Sequence, residues 1–428
     1  MNLLQKTAQK KNIKKISTEF GDFVFLNNHV YLLKTYEKSR YLTLIDNDQK
    51  FFKQIIRNME RTNFSSTEYF FPLTKHDWNV IRKSVFFILL TITGKCNSNC
   101  NICFMSERVK CREMNEKNVK QILSKVGKGK AILLFGGEPT MNKSLFKIID
   151  AIQESGNYPE VFTNGLMLAQ PNYTKRLKRK GIKRVYISFD GFRENIYEKL
   201  RGDKNQLYMK LKALYNLKKY DINTIISFTL VSGLNEDQLL PLLKFAIKNG
   251  FVKGIVLNGA TSYYGKFDIE MNKFLTTSDI IRLLENISNN KIKMGYFLEF
   301  YRLRENINKL LNKVGLVFPR GSTNTPFKVN TSKFQIEEYI PLGDLKKINE
   351  AIEKRKFLSI LKYMWKYRVF RHLNPVKNYY KSFRHNAFWI NPGIINVPLN
   401  NFYRTYNTIT IEMSIESDTQ MIAYPAFT

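Results

Sequence analysis

Cysteine and histidine are scarce in this chain, with four of each in 428 residues. So few cysteines exclude a disulfide framework and point to a reducing compartment. His29, His76, His372 and His385 are scattered, and each reads as a surface or packing residue rather than a base or ligand. Acidic residues are also under-represented: 36 Asp+Glu face 69 Lys+Arg, leaving a net charge of +33. A surplus of that size repels itself and implies an anionic partner such as nucleic acid, an acidic membrane surface or a phosphorylated substrate. A proteome rich in Lys, Ile and Asn explains it equally well. No apolar run is long enough to cross a bilayer, since the longest, near Val85–Ile92, is strand-sized. The segment Met1 to Lys11 lacks the apolar stretch of a secretory signal, so a cytoplasmic location is expected, with peripheral membrane contact compatible with the charge.

What is present is concentrated. Three of the four cysteines fall in Cys96-Asn97-Ser98-Asn99-Cys100-Asn101-Ile102-Cys103, directly after the apolar run Val85 to Thr93. A strand that delivers three thiols into one short polar loop is an arrangement for a metal centre, and soft sulfur ligands suit zinc or iron–sulfur chemistry. Three ligands rather than four leave one metal position open to a substrate or cofactor. The fourth cysteine, Cys111, reads as a free buried thiol rather than a hydrogen-atom donor or a further ligand.

Residues 1–82 read as a small β-rich lead-in. The β-prone runs Glu19–Leu26 and His29–Leu33 flank Asn27-Asn28 as in a hairpin, and Gln49 to Arg61 has helical spacing. From 83 to 290 strand-length apolar runs (Phe86–Thr93, Ala131–Phe135, Glu160–Thr163, Arg184–Phe189, Asn223–Val231, Val252–Leu257) alternate with helical segments (Glu116–Val126, Leu145–Gln153, Tyr173–Lys180, Tyr208–Leu217, Glu236–Lys248). Continuous apolar strands separated by amphipathic helices predict an α/β fold with a parallel sheet. Six units are too few for a full barrel, so a partial (β/α)6 TIM-like barrel is expected, with a β-rich N-terminal and an α+β C-terminal extension. Ligands in such folds sit at the carboxyl ends of the strands.

Those ends hold the unusual residues. Strand one runs into the cysteine loop and strand two into Gly136-Gly137-Glu138-Pro139-Thr140. Strand three ends in Thr163-Asn164-Gly165 and strand four in Ser188-Phe189-Asp190-Gly191. The glycines allow close approach of backbone to a ligand, and Glu138 suits an ammonium group. A single Asp-Gly is an ordinary turn, but four such motifs at consecutive strand ends are not explained by turn chemistry.

In this combination the motifs resemble the radical S-adenosylmethionine superfamily, over about residues 85–290. The resemblance implies that Cys96, Cys100 and Cys103 hold a [4Fe–4S] cluster whose open iron chelates S-adenosylmethionine. It further implies Ile102 against the adenine and Phe104 offering backbone to it. Gly136, Gly137, Glu138 and Pro139 would meet the methionine amino group, with Thr163, Ser188 and Asp190 near the methionine and ribose. Arg201, in Leu200-Arg201-Gly202-Asp203, resembles an arginine that pairs with the carboxylate. The implied activity is reductive cleavage of S-adenosylmethionine and abstraction of hydrogen from an unactivated carbon. A ferredoxin- or flavodoxin-type protein is the expected one-electron reductant.

Ser188-Phe189-Asp190-Gly191-Phe192 with Leu200–Asp203 is similar to archaeal enzymes related to tetraether lipid synthase, although their extra cysteine-rich clusters are missing here. The missing cysteines also argue against peptide maturases with auxiliary clusters and against the GTP cyclase of molybdenum-cofactor synthesis. No cobalamin-type Asp-x-His-x-x-Gly segment is present. In residues 291–428, the stretch Lys346 to Arg384 holds twelve Lys/Arg against Glu350 and Glu353, with Leu345, Ile348, Ile352, Leu358, Leu361, Met364 and Trp365 at helical spacing. This pattern fits an interfacial helix, a phosphate-gripping helix, or a barrel-closing helix with a solvated basic face. The expected substrate is large and anionic, lipid ahead of RNA or polypeptide. A rival reading is a non-catalytic three-cysteine metal protein with a basic nucleic-acid-binding surface.

Overall fold

The computed structural model describes residues 14–18, 21–26, 28–36, 39–56, 71–72, 82, 87–103, 113–260, 275–312, 325–330, 335–367, 387–395, 410–415 and 421–425. Strands β1 (Lys14–Thr18), β2 (Gly21–Leu26), β3 (His29–Tyr36) and β4 (Ser39–Asp46) form an antiparallel sheet in chain order. The predicted hairpin is present: Leu26 pairs with His29, and Asn28 takes the left-handed φ of 67° that asparagine tolerates. Helix α1 (Gln49–Ile56) follows, while the expected continuation to Arg61 lies outside the described residues.

After β5 (Phe71–Pro72) the alternation begins. It runs β6 (Phe87–Thr93), α2 (Glu116–Val126), β7 (Ala131–Gly136), α3 (Leu145–Glu154), β8 (Tyr158–Thr163), α4 (Pro171–Arg179) and β9 (Arg184–Ser188). It continues with α5 (Glu194–Arg201), α6 (Gln206–Lys219), β10 (Asn223–Leu230), α7 (Leu239–Lys248) and β11 (Val252–Gly259). Neighbouring strands from β6 to β11 pair in parallel and in sequence order. Sequential order means that every crossover returns to the same side, which curls a sheet into part of a barrel rather than a doubly wound layer. This is the partial (β/α)6 barrel expected. All six residues of β7 are buried, as a strand covered on both faces requires. Helix α2 shows the local logic. Asn115 caps it reciprocally with Asn118, and Val119, Ile122, Leu123 and Val126 form its buried stripe.

The sheet is larger than the six strands read from sequence. After α8 (Thr277–Ile287) and α9 (Met294–Asn312) come β12 (Thr325–Asn330), β13 (Gln335–Glu338), α10 (Leu342–Glu353), α11 (Phe357–Lys366), β14 (Ala387–Ile395), β15 (Thr410–Ile415) and β16 (Met421–Pro425). β14 adds in parallel to β11 and β15 in parallel to β6, so both open edges of the barrel find partners. The antiparallel strands β12 and β13 lie beyond β14, and β16 and β5 beyond β15.

Two further differences bear on function. Helix α5 was not anticipated, and it carries Arg201. The basic stretch after Lys346 is broken at Arg355, whose φ of 51° ends the α10 turn and re-phases the chain. Leu345, Ile348 and Ile352 are therefore buried, whereas Leu358, Leu361 and Trp365 are exposed.

Candidate metal centre

The cysteine loop leaves β6 and is fastened at three places. At the β7 exit, Gly137 N donates to Thr93 O at 2.8 Å and Glu138 N to Lys95 O at 2.7 Å. A Cβ on Gly136 would stand 2.2 Å from Thr93 O, and one on Gly137 would stand 2.5 Å from Lys95 O. The space beside both glycines is thus filled by the backbone that starts the cysteine loop, and no side chain fits there. At the β8 exit, the Asn164 amide donates to Asn97 Oδ1 at 2.7 Å and points at Cys96 Sγ from 3.9 Å. At the end of α5, carbonyls that a helix cannot satisfy internally are taken up by the loop: Asn101 N donates to Leu200 O at 2.9 Å and Asn101 Nδ2 to Lys199 O at 2.8 Å.

The sulfurs have distinct surroundings. Cys100 lies 3.1 Å from Ser98 Oγ and 3.8 Å from Arg201 Nη1, and Gln206 Nε2 holds Ser98 Oγ at 2.9 Å. Cys103 packs on Leu89, Leu133 and Phe135, with Phe162 and Tyr186 beside it. The Phe162 and Tyr186 rings are stacked within 12° of parallel at 6.1 Å, and Phe135 meets Phe162 edge-on. Ile102 joins the apolar group Ile196, Leu200, Val231 and Ala260. Phe104 and Cys111 lie outside the described residues.

Cys96 reaches the surface, yet the surrounding loop desolvates its thiol. That desolvation, then repulsion from Glu138 and the other two cysteines, pushes it up to about 11. A cation among the sulfurs reverses this, because a coordinating thiol is deprotonated by the ion's own charge. Among the described residues no three His, Cys, Asp or Glu side chains are set to share one ion. Three free thiols on one loop, with Arg201 and Asn164 N–H groups turned onto two of them, are a donor set that suits an iron–sulfur group.

Behind the sulfurs the other strand-end residues interlock. Glu138 is 1% exposed and accepts from Thr140 Oγ1 (2.6 Å), Thr140 N (3.2 Å) and Thr163 Oγ1 (2.6 Å) on Oε1. Its Oε2 accepts from Asn164 N at 2.7 Å. Burial pushes its carboxyl up despite these bonds. Pro139 opens a buried 3-10 turn that Glu138 caps. Asp190, fully buried, is gripped by Arg201 through Nε (2.7 Å) and Nη2 (3.0 Å) and accepts from Thr229 N at 3.1 Å. Burial opposes the Arg201 charge, but Asp190 and Cys100 more than offset it, and the guanidinium is held above its ordinary value.

Sequence reading missed Lys210. Its ammonium, buried on α6, donates to Asn164 O (2.7 Å), Ser188 O (2.8 Å) and Ser188 Oγ (2.9 Å), joining two strand ends. Burial, with the Arg201 charge adding to it, pushes it down to about 8. The signal was present: Lys210 stands between Leu207 and Leu214 at the spacing of the helix's apolar side. Asn164 and Lys210 therefore link Cys96, Glu138, Thr163 and Ser188, and Arg201 links Cys100 to Asp190, while Cys103 sits against the Leu89, Leu133 and Phe135 group.

Residues 90–246 match the family model of the Radical SAM superfamily. A 7,8-dihydro-6-hydroxymethylpterin dimethyltransferase of Methanocaldococcus jannaschii is 31% identical over 214 residues, 47% of this chain and 42% of the relative. A GTP 3′,8-cyclase of Clostridium acetobutylicum is 24% identical over 232 residues, 50% of this chain and 70% of the relative. The solved structure of Streptococcus suis SuiB bound to precursor peptide SuiA overlaps with a TM-score of 0.42 at 16% identity, covering 65% of this chain and 70% of that one. The chain spans less than half the length of the first of these relatives. The family model and the relatives support the radical SAM superfamily for this part of the chain, and members of that superfamily bind a [4Fe–4S] cluster and S-adenosylmethionine.

Proposed function

We propose that the chain is a radical S-adenosylmethionine enzyme in which Cys96, Cys100 and Cys103 hold the cluster and the ends of β7 to β10 receive the cofactor. When bound, these two groups would supply reductive cleavage of S-adenosylmethionine, with the electron taken from an external ferredoxin- or flavodoxin-type donor, and through it hydrogen abstraction from an unactivated carbon. The observation that carries this reading is the fastening of a three-cysteine loop onto strand ends, with Arg201 and Asn164 directed at its sulfurs. Such N–H groups stabilise thiolate charge and fix the side-chain rotamers. Leu133, Phe135, Phe162 and Tyr186 wall off the Cys103 side and exclude water. Glu138 Oε2, which accepts one bond, retains a lone pair for the methionine ammonium beside Gly136, Gly137 and Pro139. Thr163, Ser188 and Asp190 shape the methionine and ribose end. The remaining nitrogen of Arg201, Nη1, faces the cluster side and suits the carboxylate. Ile102, packed with Ile196, Leu200, Val231 and Ala260, would lie against the adenine; Phe104, which the resemblance puts beside it, lies outside the described residues.

The net charge of +33 supports a large anionic substrate, with lipid ahead of RNA or polypeptide. The aromatic wall beside Cys103 supports a second reading, a planar heteroaromatic substrate like those in the relatives' names. Anaerobic purification tests the shared core. Brown protein that loses colour in Cys100→Ala and releases 5′-deoxyadenosine on reduction is expected. Colourless, zinc-loaded protein refutes the proposal. Comparing lipids and pteridine or nucleoside pools between a deletion strain and its parent separates the substrate readings.

A further inference from the structure

Helix α11 is apolar on two opposite sides. Ile360 and Tyr363, with Tyr367 just beyond the last turn, pack against the main core. On the other side Phe357, Leu358, Leu361 and Trp365 are 68%, 85%, 58% and 87% exposed. At 3.6 residues per turn these four cover about 100° of the circumference, centred away from the packed side. An ordinary surface helix has one apolar stripe and a polar back. Four large apolar side chains, contiguous and this exposed, mark a surface with a second environment to meet.

A basic collar surrounds them. Lys354, Arg355 and Lys356 are exposed in the turn before the helix, and Lys362 and Lys366 are exposed along its edge. No acid occurs between Lys354 and Lys366. Of the three acids on α10, Glu350 is exposed and the other two are paired. Asp344 binds Lys366 Nζ at 2.6 Å and also the Tyr367 hydroxyl, and Glu353 binds Arg302 at 2.5 Å. No helix among the described residues is long and apolar enough to cross a membrane, so any lipid contact here lies in the plane of the interface.

We propose that this face of α11 docks on a bilayer carrying anionic headgroups, with Phe357, Leu358, Leu361 and Trp365 entering the interface and the Lys/Arg collar at the phosphates. Charge complementarity selects this occupant. A second copy of the chain, meeting it about a two-fold axis, would set like-charged collars against each other. A nucleic acid would use the collar and stack on Trp365, but it would leave Leu358 and Leu361 in water. Trp at the level of headgroups and Lys with its stem along apolar surface are the side chains such a boundary favours. The inference needs no cluster and does not rest on the proposed chemistry.

Full-length protein is floated with vesicles of equal parts phosphatidylglycerol and phosphatidylcholine, and with pure phosphatidylcholine. Wild type is expected to float with the anionic vesicles. Leu358→Gln/Trp365→Gln is expected to bind at least about tenfold more weakly, with unchanged far-UV circular dichroism and unchanged 5′-deoxyadenosine yield in solution. Lys356→Gln/Lys362→Gln is expected to weaken binding to the anionic vesicles only, and salt to reduce binding without abolishing it. Equal flotation of wild type and the apolar double variant overturns the proposal. So does a wild-type dimer in sedimentation that the double variant abolishes, with no vesicle binding, and so does RNA binding lost in that variant without vesicle binding. Loss of deoxyadenosine formation in wild type overturns the enzyme reading and leaves this one standing.

Discussion

The Asp190–Arg201 pair gives the sharpest test of how the site is held. Asp190 is fully buried and the Arg201 side chain is 12% exposed, with contacts at 2.7 and 3.0 Å. At 2.7 Å and an effective dielectric constant near 20, the attraction is about 6 kcal/mol. Much of it only offsets the cost of desolvating both charges. Removing one partner strands the other, so Asp190→Asn and Arg201→Met are each expected to cost about 3–5 kcal/mol, a large share of a typical total stability of about 5–15 kcal/mol. The double variant strands neither charge and should cost clearly less than the sum, with a coupling of about 2–3 kcal/mol. Urea unfolding of the metal-free protein, followed by circular dichroism, measures all three. The functional arm uses reconstituted protein. The two Asp190 contacts fix Arg201 so that Nη1 faces Cys100, and both single variants should therefore blunt the change in the cluster's electron paramagnetic resonance on adding S-adenosylmethionine. Additive stability losses would refute the pairing argument. A cofactor defect in Arg201→Met alone would show that the arginine acts without Asp190.

Two further outcomes follow from the site. Gly136→Ala places a Cβ 2.2 Å from Thr93 O at a φ of 137° and is expected to cost about 3 kcal/mol or more and to lower iron per chain, whereas Gly129→Ala, with nothing within 4 Å of its Cβ, should cost about 1 kcal/mol at its φ of 76°. Thermal melts and iron assay compare them. Lys210 has a folded value of about 8, below its ordinary 10.5, so the unfolded chain holds more protons between those limits and stability rises with pH across that window. Wild type should therefore gain up to about 3 kcal/mol relative to Lys210→Met from pH 8 to 10.5. Identical pH slopes in urea unfolding would show that Lys210 is not buried as an ammonium.

Much of the site was legible because its residue types are required by local chemistry. Glycines at 136 and 137 follow a continuous apolar strand, and three cysteines at such short spacing in one loop have few uses besides holding a metal centre. Strand and helix existence was equally readable from periodicity, as in α2, whose bounds match the expected Glu116–Val126. What stayed hidden depends on partners distant in sequence. The link from Arg201 to Asp190 required α5, a helix of eight residues with a weak signature. The spacing of Lys210 with Leu207 and Leu214 put it on the apolar side of its helix, but not that its ammonium meets Asn164 and Ser188. The roles of Asn164, Ser98, Gln206 and Thr229 were invisible for the same reason.

By itself the sequence determined the alternation of parallel strands and helices and the gathering of unusual residues at strand ends, because periodicity and turn chemistry are local properties of the chain. The tertiary structure alone decided what each of those residues touches. It spent the two glycines on backbone contact, committed two nitrogens of Arg201 to a buried carboxylate, and joined strands from the far end of the chain to both barrel edges. It also turned one side of α11 outward. Contacts of this kind depend on which surfaces meet after folding, and spacing along the chain carries no record of that.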